Sequence, residues 1–144
     1  MDRGTDISGL GSNGGGSAPE ENWSWDKPYS HIRTCNILLE KAEAYDGSQS
    51  DIAQSVGTAY FFRAWQHFYL LQHFGGVPIS DHVLTVSDGV LQAPRNSRYE
   101  VAAFIMSDLR EAVKHLPKET EIPEGSKGKV SKEAAKSFLA RVLL

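Results

Sequence analysis

Two neighbouring residues near the start of the chain, Asn22 and Trp23, have side chains of types that bind carbohydrates. The flat face of an indole stacks on the C–H face of a sugar ring, while an amide exchanges hydrogen bonds with hydroxyl groups. The same indole could instead be an apolar residue that packs against the start of the first helix. The sequence therefore makes Asn22 and Trp23 candidates for a carbohydrate site and leaves both interpretations of Trp23 open.

Residues that could perform catalysis or hold a metal are present, but their spacing does not bring them together. The five histidines have no metal-ligand spacing, and His67 and His73 would lie about 240° apart on a helix. The single cysteine, Cys35, lies among apolar residues and is expected to be an inert thiol. No carboxylate pair and no nucleophile beside a base stands out. We therefore predict a protein that is not an enzyme, with no metal site and no cofactor.

Length and composition predict one globular domain. The chain has 144 residues, of which 40% are hydrophobic, and a net charge of −3. Without a basic excess, nucleic acid is not an expected partner. Residues 1–22 are rich in Gly, Ser, Asn and Asp and predict a disordered or loop-like segment, which places the domain at residues 23–144. The first residues contain no apolar run, so we expect no signal peptide here, nor a lipidated cysteine.

Apolar residues that recur every three or four positions predict two helices in the first half of the chain. The first helix begins near Trp25 and ends at Gly47, a residue suited to a left-handed cap. The second helix begins at a cap formed by Ser50 or Asp51 and runs to Phe74. Both helices are long enough to form a packed hairpin.

Two further helices are predicted in the second half. Ser97 begins the third helix, with Glu100 at the spacing of a capping box, and Ser131 caps the fourth. The fourth helix is still apolar at Leu143 and Leu144, so we expect the domain to be truncated at its C-terminus. The pattern predicts an all-α fold of tetratricopeptide-like helical hairpins.

The second predicted helix carries an unusual number of aromatic residues. Half of the chain's 3 Trp, 5 Tyr and 6 Phe lie at residues 60–74. An apolar arc that includes Phe62, Trp65 and Phe68 is too wide for one neighbouring helix to cover. We therefore expect this helix to be central and its rings to be core rather than a binding surface.

Arg63 lies on the less apolar side of the same helix, together with His67. A buried or half-buried guanidinium requires a carboxylate partner. We expect Arg63 to form an ion pair with a residue such as Asp108 or Glu40, and we expect no ligand role for it.

Four motifs follow one another in residues 23–144. They are W-x3-Y-x2-I-x3-N at 25–36, A-x-F-x-R-A-W-x-x-F-x-L-x-x-x-F-G-G-V-P at 59–78, Y-E-V-x-x-F-I-x-x-D-L-x-x-A-x-x-x-L-P at 99–117, and G-x-V-S-K-x-A-A-K-x-x-L-A-R-V-x-L at 128–144. In this order and spacing the series resembles the SusD/RagB family of surface glycan-binding lipoproteins.

The resemblance implies a function that the motifs alone do not. Members of this family sit on the outer membrane of Gram-negative bacteria, cap a TonB-dependent transporter and capture oligosaccharides or other polymeric nutrients without catalysis. The resemblance therefore implies that this protein captures glycans at the cell surface, with a SusC-like TonB-dependent transporter as partner. The alternative, based on the helices alone, is a helical-repeat adaptor that binds another protein.

Overall fold

The computed structural model of the chain describes residues 24–85 and 93–144, and within them it contains four α-helices and no strand. We number the helices α1 (Asp26–Glu43), α2 (Gln49–Phe74), α3 (Arg98–His115) and α4 (Lys132–Leu143). Two short 3-10 turns, Glu119–Glu121 and Glu124–Ser126, connect α3 to α4. The all-α prediction is confirmed, and the predicted segment 1–22 lies outside the described residues.

The helices pack in the order in which they follow along the chain. Helix α2 packs against α1 and against α3, and α3 packs against α4. Helices α1 and α2 are joined by the short loop 44–48 and form a hairpin. With its 26 residues, α2 is a rod about 39 Å long at 1.5 Å per residue. It is the central helix, as the sequence predicts, in a tetratricopeptide-like arrangement.

The predicted starts of α3 and α4 are confirmed. Ser97 and Glu100 form a capping box, in which the Ser97 amide donates to Glu100 Oε2 at 2.7 Å and the Glu100 amide donates to Ser97 Oγ at 3.2 Å. Ser131 Oγ accepts from the Ala134 amide at 3.2 Å. Each bond satisfies an amide that the first turn of a helix leaves without an intrahelical partner.

The predicted caps around the first loop are wrong. Helix α1 ends before Gly47, at a cap residue, Ala44, that is itself right-handed with φ of −85°. Among the described glycines, positive φ occurs at Gly75 and Gly128 but not at Gly47. Helix α2 is capped by Ser48, not by Ser50 or Asp51, and the Ser48 hydroxyl pairs with the Ser50 hydroxyl at 2.8 Å instead of with a helix amide. The chain therefore turns without a left-handed residue at Gly47, although a Cβ at that position would meet the Tyr45 ring.

The buried face of α2 also differs from the predicted one. Phe62 and Trp65 are 42% and 46% exposed, so their prediction as core residues is wrong, whereas Arg63 and His67 are buried. Helix α4 covers one edge of the aromatic arc, and a single neighbouring helix shields only part of such an arc. The opposite face is closed by α1, α3 and the segment 77–85, which bring polar groups that satisfy Arg63 and His67.

One apolar core runs through all four helices. Its buried members are Ile32, Phe61, Ala64, Leu70, Val77, Val101, Ile105, Leu109, Ala112, Leu116, Ala135 and Phe138. Phe138 of α4 packs its ring edge against Phe61 and Phe68 of α2, with centroids 5.7 and 5.2 Å apart. In the described part of the chain, no helix combines the length and the hydropathy required to cross a bilayer.

Candidate functional site

A groove of about 620 Å³ lies between the start of α1 and the segment that follows α2. We call it the Trp25 groove, and we call residues 77–85, which form one of its sides, the wall segment. The groove is lined by Trp25, Tyr29, Ser30, Arg33, Pro78, Ile79, Ser80, His82, Leu84 and Ala93. Its volume falls in the range of small-molecule sites, and its lining combines aromatic rings with a few polar groups, as such sites do.

The two rings of the groove are positioned by the first turn of α1. Trp25 and Tyr29 are four residues apart, so they lie on the same face of the chain, with ring centroids 5.2 Å apart. The edge of Phe74, the last residue of α2, packs against Trp25 at 5.1 Å, and the Arg95 guanidinium lies over the Trp25 ring at 5.3 Å. The indole is therefore half-buried and held in place from two sides.

Tyr29 fastens the wall segment to α1. Its hydroxyl donates a hydrogen bond to the Pro78 carbonyl oxygen at 2.7 Å. Burial raises the pKa of Tyr29 to about 12, so the phenol keeps its proton at neutral pH and remains a donor. This hydrogen bond therefore joins the wall segment to α1 on one side of the groove.

The same end of the wall segment is also bound by residues just before α3. The Asn96 amide donates to the Val77 carbonyl at 3.2 Å, and Asn96 Oδ1 accepts from the Ile79 amide at 3.0 Å. Arg95 Nη1 donates to the Gly76 carbonyl at 3.0 Å. A side chain at Gly76 would run into the Asn96 carbonyl, so the close approach of these two backbone segments requires glycine.

A buried ion pair lies behind the wall segment. Arg63 Nε and Nη2 donate to Asp108 Oδ2 and Oδ1, both at 2.7 Å, in a bidentate pair between α2 and α3. The two side chains are only 7% and 4% exposed. The prediction that Arg63 pairs with Asp108 is confirmed, whereas Glu40 instead accepts from the Val83 amide at 2.7 Å. The geometry is the planar fork that guanidinium and carboxylate form best.

Asn36 of α1 extends this network to the wall segment. Its Oδ1 accepts from Arg63 Nη1 at 2.8 Å, and its Nδ2 donates to the carbonyl oxygens of Ser80 at 3.3 Å and His82 at 2.9 Å. Arg63 Nη1 also donates to the Asp81 carbonyl at 3.1 Å. In the described residues, no buried side-chain nitrogen or oxygen lacks a hydrogen-bond partner. We call Asn36, Arg63, His67 and Asp108 the buried clamp, because the first three bond to the wall segment and Asp108 holds Arg63 in place.

His67 is the fourth member of the clamp and is fully buried. Its Nδ1 lies 2.9 Å from the Arg63 carbonyl oxygen, and its Nε2 accepts from the Ser80 amide at 3.3 Å. A carbonyl only accepts and an amide only donates, so the ring is the neutral tautomer with its proton on Nδ1. Burial lowers the pKa of His67 from 6.5 to about 4, which keeps this tautomer at neutral pH.

The described residues around the Trp25 groove offer contacts that can bind a ligand. Among the described residues, no group of three or more His, Cys, Asp or Glu side chains could hold a metal ion. Burial raises the pKa of the half-buried Cys35 to about 11, so its thiol is a poor nucleophile at neutral pH. The Trp25 groove offers aromatic rings together with hydroxyl, guanidinium and imidazole groups from Ser30, Arg33 and His82.

The residues predicted from sequence as carbohydrate contacts, Asn22 and Trp23, lie outside the described residues and stay a prediction. Sequence reasoning missed the contribution of Trp25, Tyr29 and Asn36 to the site. Asn36 could have been noticed, because it is a polar residue on the otherwise apolar stripe that contains Ile32. A buried amide in that position must satisfy its hydrogen bonds within the protein.

Comparison with known proteins gives one consistent result. The SusD-like family model, described as "Starch-binding associating with outer membrane", matches residues 17–144. SusD-like protein P38 of Formosa agariphila is 37% identical over 100 residues, which are 67% of this chain and 18% of P38. Similar solved structures include a SusD-like protein of Bacteroides fragilis, with a TM-score of 0.77 and 31% identity over 86% of this chain and 24% of that one.

A laminarin-binding SusD-like protein is also similar, with a TM-score of 0.75 and 27% identity. The match covers 85% of this chain and 26% of that protein. The chain therefore spans about a fifth to a quarter of the length of the proteins that it matches.

Proposed function

Since the chain belongs to the SusD-like family, we propose that it takes part in non-catalytic capture of glycans, and that the Trp25 groove contacts the oligosaccharide. The observation that carries the proposal is the pairing of two half-buried rings, Trp25 and Tyr29, with polar groups along one groove. Sugars have apolar C–H faces and polar hydroxyl edges, and this lining offers a partner to each.

The rigidity of the groove supports the same proposal. The Trp25 ring is held by Phe74 and Arg95, and hydrogen bonds join the wall segment to α1, to α2 and to Asn96 just before α3. A preformed site loses little conformational entropy when it binds, so weak individual sugar contacts can add up to useful affinity. The laminarin-binding relative is a precedent for glycan binding on this fold.

Asn22 and Trp23 are proposed to add contacts at the edge of the groove. Trp23 precedes Trp25 by two residues in the chain, and each residue spans at most about 3.6 Å. A second indole within that reach of the groove could stack on a neighbouring sugar unit. The Asn22 amide would then pair with sugar hydroxyls.

The proposed partner is a SusC-like TonB-dependent transporter, and the proposed location is the outer surface of the outer membrane. The family description, which joins starch binding to the outer membrane, supports this placement. Affinity purification of the tagged full-length protein from membranes, followed by identification of co-purified proteins, would test it. Recovery without any transporter would count against the partnership.

Tryptophan fluorescence tests the glycan site directly, because Trp25 lines the groove, Trp23 precedes it by two residues in the chain, and Trp65 is not among the residues that line the groove. Titration with laminarin-, xylan- and starch-derived oligosaccharides should give a saturable change in emission. We expect the change to be reduced in Trp23→Phe and Trp25→Phe. It should persist in the control Trp65→Phe, since the Trp65 side chain is half-exposed outside the groove. No saturable change with any of these glycans would refute the proposal, and release of reducing sugar would contradict its non-catalytic part.

One observation favours the alternative function of a helical-repeat adaptor. A second groove, of about 480 Å³, lies between α1 and α2 and is mainly apolar. Leu38 and Phe62 beside it are 36% and 42% exposed. Exposed apolar clusters of this kind mark protein contacts. The adaptor would be favoured by two results together: a protein partner that no longer binds Phe62→Ser, and no fluorescence response to any glycan.

A further inference from the structure

We propose that His67 is a proton-sensitive latch that holds the wall segment against α2, so that protonation of its ring releases one side of the Trp25 groove. The effect on ligand binding rests on the proposed function. The release of the wall segment does not, because it concerns contacts within the chain only.

Both nitrogens of the His67 ring are already used. Nδ1–H donates to the Arg63 carbonyl at 2.9 Å, and Nε2 accepts from the Ser80 amide at 3.3 Å. A protonated imidazole carries a hydrogen on each nitrogen and has no acceptor left. The new Nε2–H would face the Ser80 N–H, so the wall segment must move away from the ring. The contact between His67 and Ser80 therefore requires a neutral imidazole.

The surroundings of His67 do not favour a positive charge. From α2 itself, the Arg63 guanidinium opposes protonation. From α3, the ring edge of Phe104 packs against the imidazole with centroids 4.9 Å apart, and Asp108 is already engaged by both of its oxygens with Arg63. From the wall segment, Asp81 favours the charged ring but is outweighed by burial.

Other anchors keep the release local. Tyr29 holds the Pro78 carbonyl and Asn96 holds the Ile79 amide. Asn36 holds the Ser80 and His82 carbonyls, and Arg63 holds the Asp81 carbonyl. None of these anchors requires a neutral imidazole. We therefore expect a local movement of the Ser80 amide, while the helices stay folded.

The sign of the pH dependence follows from the lowered pKa. The pKa of His67 is 6.5 when the ring is free and about 4 in the folded chain. The latch is therefore closed at neutral pH, its contribution to stability is lost as the pH falls from 6.5 towards 4, and the ring becomes charged in the folded protein below about 4.

The test follows the Ser80 amide by heteronuclear NMR from about pH 7 to about pH 3, without ligand. We expect the Ser80 signal to shift with a midpoint near 4 in the wild type. In His67→Gln that transition should disappear, since glutamine has no ring nitrogen to protonate. The control His82→Gln removes the histidine of the wall segment itself and should keep the transition. The same transition in wild type and His67→Gln, or a midpoint at the ordinary histidine value, would overturn the latch.

Spectra of the ring nitrogens in the wild type keep the proposal testable if His67→Gln fails to fold. They should show the His67 proton on Nδ1 at neutral pH and a second proton arriving together with the Ser80 shift. A proton on Nε2 at neutral pH would contradict the latch. Oligosaccharide titrations at both ends of the range separate the two proposals: absence of binding at every pH refutes the glycan site and leaves the latch standing.

Discussion

The Arg63–Asp108 pair provides the sharpest stability prediction. We consider Arg63→Met, Asp108→Leu and the double variant. Asp108→Leu leaves a buried guanidinium with only two neutral acceptors, the Asn36 amide oxygen and the Asp81 carbonyl. Removing one partner of a buried ion pair typically costs about 3–5 kcal/mol, since the remaining charge is not compensated.

Arg63→Met should cost more than Asp108→Leu. It leaves the Asp108 carboxylate unpaired and also removes the donor to the buried Asn36 Oδ1, which adds about 1–3 kcal/mol for an unsatisfied polar group. The double variant removes both charges together. We therefore expect its loss to be smaller than the sum of the single losses, by about 2–3 kcal/mol of coupling.

Urea unfolding followed by far-ultraviolet circular dichroism measures these free energies. The control is an ion pair at the surface of α3, Glu111 and Lys114 at 2.7 Å. Its removal should cost about 0.2–0.5 kcal/mol. Single variants at Arg63 and Asp108 that cost no more than this control, or a double variant whose loss is simply additive, would refute the reasoning.

Three further substitutions test local features, each by the shift of the thermal unfolding midpoint. Gly76→Ala should destabilise by about 1–3 kcal/mol because its Cβ would meet the Asn96 carbonyl, whereas Gly125→Ala, with nothing near its added Cβ, should have little effect; equal shifts would contradict this. Ser97→Ala removes the capping box and should cost about 1 kcal/mol, and an unchanged midpoint would show that the cap is not stabilising. Phe138→Ala removes the ring that joins α4 to α2 and should cost about 3–5 kcal/mol; a cost below 1 kcal/mol would indicate that α4 is not part of the core.

Features set by short-range chemistry could be predicted from the sequence. The capping box at Ser97 and Glu100 was predictable because its residues are close in the chain and satisfy each other. Asp108 was named as one possible partner of Arg63, and it is a polar residue on the otherwise apolar stripe of α3. A buried charge requires a buried counter-charge, so such an interruption is informative.

Features set by packing between distant segments could not be predicted. Phe62 and Trp65 look like core residues, but their burial depends on how far α4 extends over α2. Conversely, Arg63 and His67 look solvent-facing, but the wall segment folds over them and supplies partners from its backbone. Backbone groups have no sequence signature, so the Trp25 groove and the bonds between the clamp and the wall segment could not be predicted.

Chemical-shift mapping of the labelled protein with a laminarin oligosaccharide is the most direct test of the proposed glycan site. We expect saturable chemical-shift changes at the Trp25 indole N–H and at the amides of Tyr29, Ser30 and Ser80, which line one groove. Shifts that are confined to the surface around Phe62 and Trp65, or no shifts with any glycan, would contradict it.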